Sequence, residues 1–458
     1  MAMREPFFST LRRPEPVPLA GRRVLVLGLG ESGLSAARWV QRQGGSVRAA
    51  DTRQDPPRAR DFDGELRTGA FDAALLEGID LVCISPGLPL AQPLVQEANA
   101  RGLPIVGDIE LFAWHVHAAQ PQSRIVAITG TNGKTTVTAL TGHLLRSAGV
   151  DCEVAGNIGP AALDALSQRA TPPAAWVLEL SSYQLETTWS LAADAATLLN
   201  LSEDHLDRYA RIDDYAAAKA RVFMGAGTRV LNRALAAPEA GAISFGPDAP
   251  PRDRDFGVIA AAGRRWLVRG RERILPADEL AIAGEHNLAN ALAALALCSA
   301  VGVPAAALAD GLRQFRGLPH RLAHVAVRRG VDWYDDSKGT NVGAAVAALQ
   351  GLGRRAVLIA GGDGKGQDFA PLARAAAAHA RCVLLIGRDA PRIAAALSLA
   401  GVAFEPCASL EAAVARAAGI AEPGDGVLLS PACASFDMFR DYRHRGEAFA
   451  AAVRALGE

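Results

Sequence analysis

The 458-residue chain has no excess of either charge: Lys+Arg and Asp+Glu both number 48. A non-specific nucleic-acid binder carries a basic surplus, so the balance argues against nucleic acid as a partner and leaves anion sites to single loops and cations. No CxxC pair occurs. Cys83, Cys152, Cys298, Cys382, Cys407 and Cys433 are scattered, mostly in apolar runs such as LVCIS and RCVLLIG. That usage fits buried, reduced thiols in a cytosolic protein. No run of about 20 apolar residues appears, which argues against membrane insertion. The opening MAMREPFFSTLRR lacks the apolar stretch of a secretory signal. The expectation is a soluble cytoplasmic protein, working as a monomer.

What is present is apolar and ordered. Half of the residues are hydrophobic and 21% charged, which is material for several packed cores. At roughly 150 residues per domain, the length corresponds to about three. Apolar runs without polar alternation recur in three sets, each run followed by a turn and an Ala-rich helical stretch. RVLVLG, SVRAAD and LVCIS form the first set; RIVAITG, WVLELS and AATLLN the second; AVLIAGG, CVLLIG and GVLLSP the third. Such runs are parallel strands buried on both faces. The fold class is therefore α/β in three domains, divided at the polar AAQPQS stretch and at Gly317-Leu318-Pro319. Residues 1–120 form a Rossmann-like unit. Residues 121–318 form a central P-loop unit with a parallel sheet and a small antiparallel appendage (GVIAA, RRWLV, RERIL). Residues 319–458 form a C-terminal Rossmann-like unit.

The strongest local signal is AITGTNGKTT, Ala127 to Thr136, after a strand and opening a helix. Gly130 and Gly133 let backbone N–H groups wrap a phosphate chain, and the helix N-terminus adds its dipole. Lys134 reaches the terminal phosphates and the Thr135 hydroxyl suits Mg2+, with Thr131, Asn132 and Thr136 completing the loop. Ile128 stands where the usual pattern has its first glycine, so the loop is a variant. In the first unit, Gly28-Leu29-Gly30-Glu31-Ser32-Gly33 precedes a helix and Asp51 ends the next strand. That geometry places a diphosphate at a helix start and an acid near a ribose, in a dinucleotide or in a UDP-sugar. Glu179 and His205 both follow apolar runs, where catalytic groups of open sheets gather. Asn287 and Asn290, one helical turn apart, either read an adenine or cap a helix.

GTNGKTT resembles the hallmark of the Mur ligases and the related folylpolyglutamate synthetases. ELSSYQL, the NLSEDH stretch, GEHNLAN, YDDSKGTN, GGDGKGQDF and SPACASFDMF extend the resemblance in order from about Val24 to Gly446. AADTR and SPGLP point to the Mur branch whose amino-acid substrate is D-glutamate. The resemblance implies an ATP-dependent ligase of bacterial peptidoglycan synthesis. It would join D-glutamate to UDP-N-acetylmuramoyl-L-alanine through an acyl phosphate. By resemblance, Glu31 and Ser32 line the diphosphate (Glu31 through its backbone N–H), and Asp51, Thr52 and Arg53 contact uracil. Ser85 and Asn157 lie near the sugar nucleotide. Glu179 and His205 bind Mg2+, and Lys219 is carbamylated to help hold a second ion. Asn287 and Asn290 pack near adenine, Arg321 and Lys338 approach phosphates, and Asp336 meets the ribose. Thr340, Lys365, Ser435, Phe436 and Tyr442 surround D-glutamate, with Tyr442 replacing a phenylalanine expected of the family. Three rivals stand against this: a sister Mur ligase adding L-alanine, an NAD-dependent dehydrogenase using only the first glycine turn, and a non-catalytic nucleotide-binding regulator.

Overall fold

The computed structural model describes residues 8, 10–204, 208–209, 211–282 and 284–457. Its three sheets follow the three sets of apolar runs. The first has five parallel strands in the order Glu65–Thr68, Ser46–Asp51, Arg23–Leu27, Leu81–Ile84, Ile105–Val106. Along the middle strand, Val24 and Val26 pack with Ala36, Ala37 and Val40 of the helix Glu31–Arg42. Leu25 and Leu27 pack with Leu94 and Val95 of the helix Pro93–Ala100. Burial on both faces explains why the run has no polar alternation.

The central sheet has nine strands, in the order Glu272–Pro276, Arg264–Arg269, Phe256–Ala261, Ile243–Phe245, Thr228–Asn232, Ala195–Leu198, Arg124–Thr129, Ala175–Glu179, Cys152–Gly156. The strand carrying the phosphate loop sits between Ala195–Leu198 and Ala175–Glu179, all parallel. The antiparallel part expected from the sequence is present, and it continues this sheet rather than standing apart. Its first hairpin closes through Ala262 and Gly263, both with positive φ (53° and 74°). A two-residue turn of that hand matches the twist of paired strands.

The third sheet has six strands in the order Ala323–Arg328, Val331–Asp335, Gly426–Leu429, Ala356–Gly361, Ala380–Ile386, Phe404–Pro406. Its edge strand Ala323–Arg328 is antiparallel, joined by a similar turn at Arg329 and Gly330. That strand is half exposed throughout, so it lacks the continuous apolar run that marked its neighbours. In all three units the motif-bearing loops leave the carboxyl ends of strands, where open α/β sheets bind ligands. No helix among the described residues is long and apolar enough to cross a membrane.

Candidate active site

The phosphate loop joins Thr129 to the helix Lys134–Ser147. Gly133 caps that helix at φ 80°, and a Cβ there would stand 2.6 Å from Asn290 Oδ1. Only glycine meets both the left-handed backbone and the close approach. A ladder of side chains holds the loop's outer edge. Asn200 Oδ1 accepts from Asn132 N at 2.8 Å and Asn200 Nδ2 donates to Asn132 O at 2.9 Å. The Thr131 hydroxyl donates to Ser202 O at 3.2 Å and accepts from Ser202 N at 3.1 Å.

Two ammonium groups converge on this loop. Lys134 Nζ donates to Gly130 O and Thr131 O, each at 2.8 Å, and Lys219 Nζ donates to the same Gly130 O at 2.8 Å. Lys219 belongs to the helix Ile212–Ala220, is 1% exposed, and lies 4.6 Å from the centre of the Tyr215 ring. Burial lowers the pKa of both lysines, with Glu179 and Asp204 opposing. Lys219 falls well below the usual lysine value, burial first and the neighbouring Lys134 charge second. Glu179, 1% exposed at the end of its strand, accepts from Asn157 Nδ2 at 2.7 Å through Oε1. Its Oε2 is buried without a hydrogen-bond partner among the described residues. A buried carboxylate oxygen left open, with its charge acting on the two lysines of the phosphate loop, is a hard-cation donor, so the residues fit Mg2+. Among the described residues no three His, Cys, Asp or Glu side chains gather into a metal cluster. His205, expected in this shell, lies outside the described residues.

The third unit closes over the loop. A cavity of about 380 Å3 between the central and third units is lined by Gly133, Asn287, Asn290, Arg321, Asp336 and Lys338, among others. Asn290 Nδ2 donates to Asn287 Oδ1 at 3.1 Å, while the cap of their helix is Gly284, with no side-chain bond. The two amides thus form one buried pair behind Gly133. Arg321 Nη2 donates to Thr135 Oγ1 at 2.6 Å. Its neighbours His320 and Leu322 both have left-handed backbones (φ 62° and 49°), an unfavourable pairing that turns Arg321 inward. Asp336 accepts from Ser430 Oγ at 2.6 Å and Leu322 N at 3.2 Å. Burial pushes its carboxyl up to about 7. Burial, then the Arg321 charge, brings Lys338 down to about 8, and its Nζ lies 4.0 Å from the centre of the Tyr442 ring. Sequence reading missed Asn341. It caps the helix Val342–Gly351 through Oδ1, while its Nδ2 donates to Asn132 Oδ1 at 3.0 Å and Asp204 Oδ2 at 3.2 Å. An Asn before an apolar helix is a cap signal, and nothing local marks the second role.

The loops expected to hold the amino acid lie side by side. Asp363 and Ala434 exchange two backbone bonds of 3.0 and 2.8 Å, bringing the Lys365 loop against the Ser435 loop. Lys365 is exposed with φ 49°, Ser435 is buried, Thr340 is half-buried and Phe436 is 72% exposed. Tyr442 is reached by Lys338 on its face and by Arg443 Nε at its hydroxyl, 3.3 Å away.

In the first unit, Gly30 caps the helix Glu31–Arg42. The Glu31 carboxylate stands in solvent, 3.7 Å from Arg58, leaving its backbone N–H at the helix start. Ser32 is half-buried, and a Cβ on Gly33 would lie 1.8 Å from Gly28 O. Asp51 is 2% exposed and its oxygens accept from Leu29 N, Arg53 N, Arg53 Nε and Arg53 Nη2 at 2.7–2.9 Å. It ties the glycine turn to the exposed Thr52–Arg53 corner. Ser85 packs against the same turn, its Cβ 2.9 Å from where one on Gly28 would stand.

Models of three known domains match the chain in order. They are the MurD-like N-terminal domain of Mur ligases over residues 22–107, the Mur ligase middle domain over 128–298, and the Mur ligase glutamate ligase domain over 320–433. The UDP-N-acetylmuramoylalanine--D-glutamate ligase of Nitrosospira multiformis is 55% identical over 455 residues, covering 96% of each chain. Its counterpart from Aromatoleum aromaticum is 54% identical over 459 residues, covering 96% of this chain and 98% of that one. Solved structures agree on the fold. The UDP-N-acetylmuramate-alanine ligase of Thermotoga maritima superposes with a TM-score of 0.60 at 19% identity, covering 95% of this chain and 99% of that one. MurF from Acinetobacter baumannii gives 0.57 at 18%, covering 95% and 90%. The motifs, the three-sheet architecture and these relatives place the chain in the Mur ligase family.

Proposed function

We propose that this chain is an ATP-dependent ligase that adds D-glutamate to UDP-N-acetylmuramoyl-L-alanine in peptidoglycan synthesis. One observation carries the chemistry. Lys134 and Lys219 meet on Gly130 O near a Glu179 oxygen that has no partner among the described residues, under a roof formed by Arg321 and Asn341 of the third unit. The full-length relatives at 54–55% identity, named for D-glutamate, support the substrate choice.

A carboxylate and an amine do not condense unaided in water. In the proposed reaction the L-alanyl carboxylate attacks the γ-phosphorus of ATP, and ADP leaves from an acyl phosphate. The D-glutamate amine then attacks the acyl carbon, loses a proton, and expels inorganic phosphate. Lys134 exchanges its loop carbonyls for phosphate oxygens and neutralises charge on the transferring group. Asn287, Asn290, Asp336 and Lys338 border the nucleotide cavity, with Asp336 facing the ribose. In the first unit, Glu31, Ser32, Asp51, Thr52 and Arg53 meet the UDP moiety, and Asn157 and Ser85 lie along its sugar. Thr340, Lys365, Ser435, Phe436 and Tyr442 hold D-glutamate, Lys365 pairing with a carboxylate.

Thr135, Glu179 and His205 would hold Mg2+, which supplies charge neutralisation and orientation for the phosphates. Burial favours the neutral amine of Lys219, the form that adds carbon dioxide; carbamylated, it would serve a second ion. Phosphate release from ATP, measured with UDP-N-acetylmuramoyl-L-alanine and a panel of amino acids, tests the reading. Release should require D-glutamate. Release with L-alanine and unextended UDP-N-acetylmuramate would instead assign the sister activity.

A further inference from the structure

Arg445 lies in the first turn of the helix Tyr442–Ala455 and is 1% exposed. Its Nη2 donates to Ser337 O at 2.8 Å, its Nε to Ser337 Oγ at 3.0 Å, and its Nη1 to Cys433 O at 3.2 Å. Among the described residues no carboxylate forms an ion pair with it. A buried guanidinium whose hydrogen bonds all go to neutral acceptors, with Asp437, Asp335 and Asp336 acting on it only through their charge, gains little stability over an apolar side chain that fills the space. Packing therefore does not account for it.

Its placement does. Ser337 stands between Asp336 and Lys338, and Cys433 stands two residues before Ser435. The two segments leave different strands, Val331–Asp335 and Gly426–Leu429. Arg445 is a rigid fork spanning them, and Ser337 Oγ closes the triangle by donating to Tyr442 O at 2.8 Å. The next residue extends the same brace. A Cβ on Gly446 would stand 2.2 Å from His320 Nδ1, so glycine leaves room for the 2.6 Å His320–Asp335 contact directly before Arg321.

We infer that Arg445 is a positioning residue, fixing the nucleotide loop of Asp336 and Lys338 at its working distance from the amino-acid loop of Ser435. The inference rests on the ligase reading above. Arg445→Met keeps the volume and removes the fork; Arg445→Lys keeps the charge but cannot span both carbonyls. For Arg445→Met we expect an unchanged or higher melting temperature. Its KM for D-glutamate and for ATP should rise about tenfold, with KM for the UDP-substrate and kcat within about threefold of wild type. Arg445→Lys should recover part of the ATP effect and little of the D-glutamate effect. A lower melting temperature with unchanged KM values would make Arg445 a structural residue and overturn the inference. If neither variant folds, Ser337→Ala, which deletes one acceptor of the fork, should raise KM for D-glutamate about threefold; an unchanged value would also overturn it. Wild-type turnover with D-glutamate separates the two readings. Without it the ligase assignment falls and takes the clamp with it; with it, unchanged variants remove the clamp alone.

Discussion

The glycine turn after Arg23–Leu27 and the one after Arg124–Thr129 share strand, turn and helix, yet their surroundings differ in kind. Around the first, the buried acid is fully matched. Asp51 accepts four hydrogen bonds from the turn and from Arg53. Around the second, groups are held in poor company. Two lysines share one carbonyl, and a buried carboxylate oxygen has no partner among the described residues. A turn that only holds a diphosphate can be satisfied within the protein. One that transfers a phosphoryl group keeps cations and an open anion facing the place where charge develops.

Breaking the second turn should therefore have the largest effect. Lys134→Ala is expected to cut kcat by about 1,000-fold, from loss of transition-state charge stabilisation. Retained binding of the UDP-substrate, measured by calorimetry, would show the loss to be local. Lys219→Ala comes next, with about a 100-fold loss in phosphate release; near-normal turnover would remove that lysine from the machinery. At the first turn, Asp51→Asn frees Arg53 and loosens the Leu29 contact. It should raise KM for the UDP-substrate about tenfold and leave kcat nearly unchanged, and a fall in kcat alone would erase the contrast between the turns.

The smallest effect on turnover is expected at the seam between the two units. Buried Asp108 accepts from Gln184 Nε2 at 3.1 Å, and burial pushes its carboxyl up to about 6. The folded state thus binds this proton more tightly than the unfolded chain. The stabilising contribution is fully present below about pH 4 and is lost as pH rises through about 6, by up to about 3 kcal/mol. Asp108→Asn should flatten that part of the stability–pH profile in denaturant melts and leave phosphate release close to wild type. A profile identical to the parent's would show that Asp108 does not titrate in that window.

Much of this was legible in the chain because the determinants are local. Unbroken runs such as VLVL and VLLI have one common solution, a strand covered on both faces. GTNGKTT combines turn, helix start and cation within seven residues. The half-exposed edge strand Ala323–Arg328 carries no such run, so its antiparallel pairing depends on the neighbour it meets. The roles of Asn341 and Arg445 escaped for a related reason. Each looks like ordinary helix-start composition, and its partners Asn132 and Cys433 are brought near only by tertiary folding. Asp51 was legible as an acid at a strand end, while its four donors became visible only with the turn in place.

Following oxygen from substrate to product tests the phosphoryl-capture chemistry most directly. UDP-N-acetylmuramoyl-L-alanine labelled with oxygen-18 in its terminal carboxylate is incubated with ATP and D-glutamate, and the released phosphate is analysed by mass spectrometry. Capture of the γ-phosphoryl group by that carboxylate puts one labelled oxygen into each phosphate; phosphate released without label would contradict it.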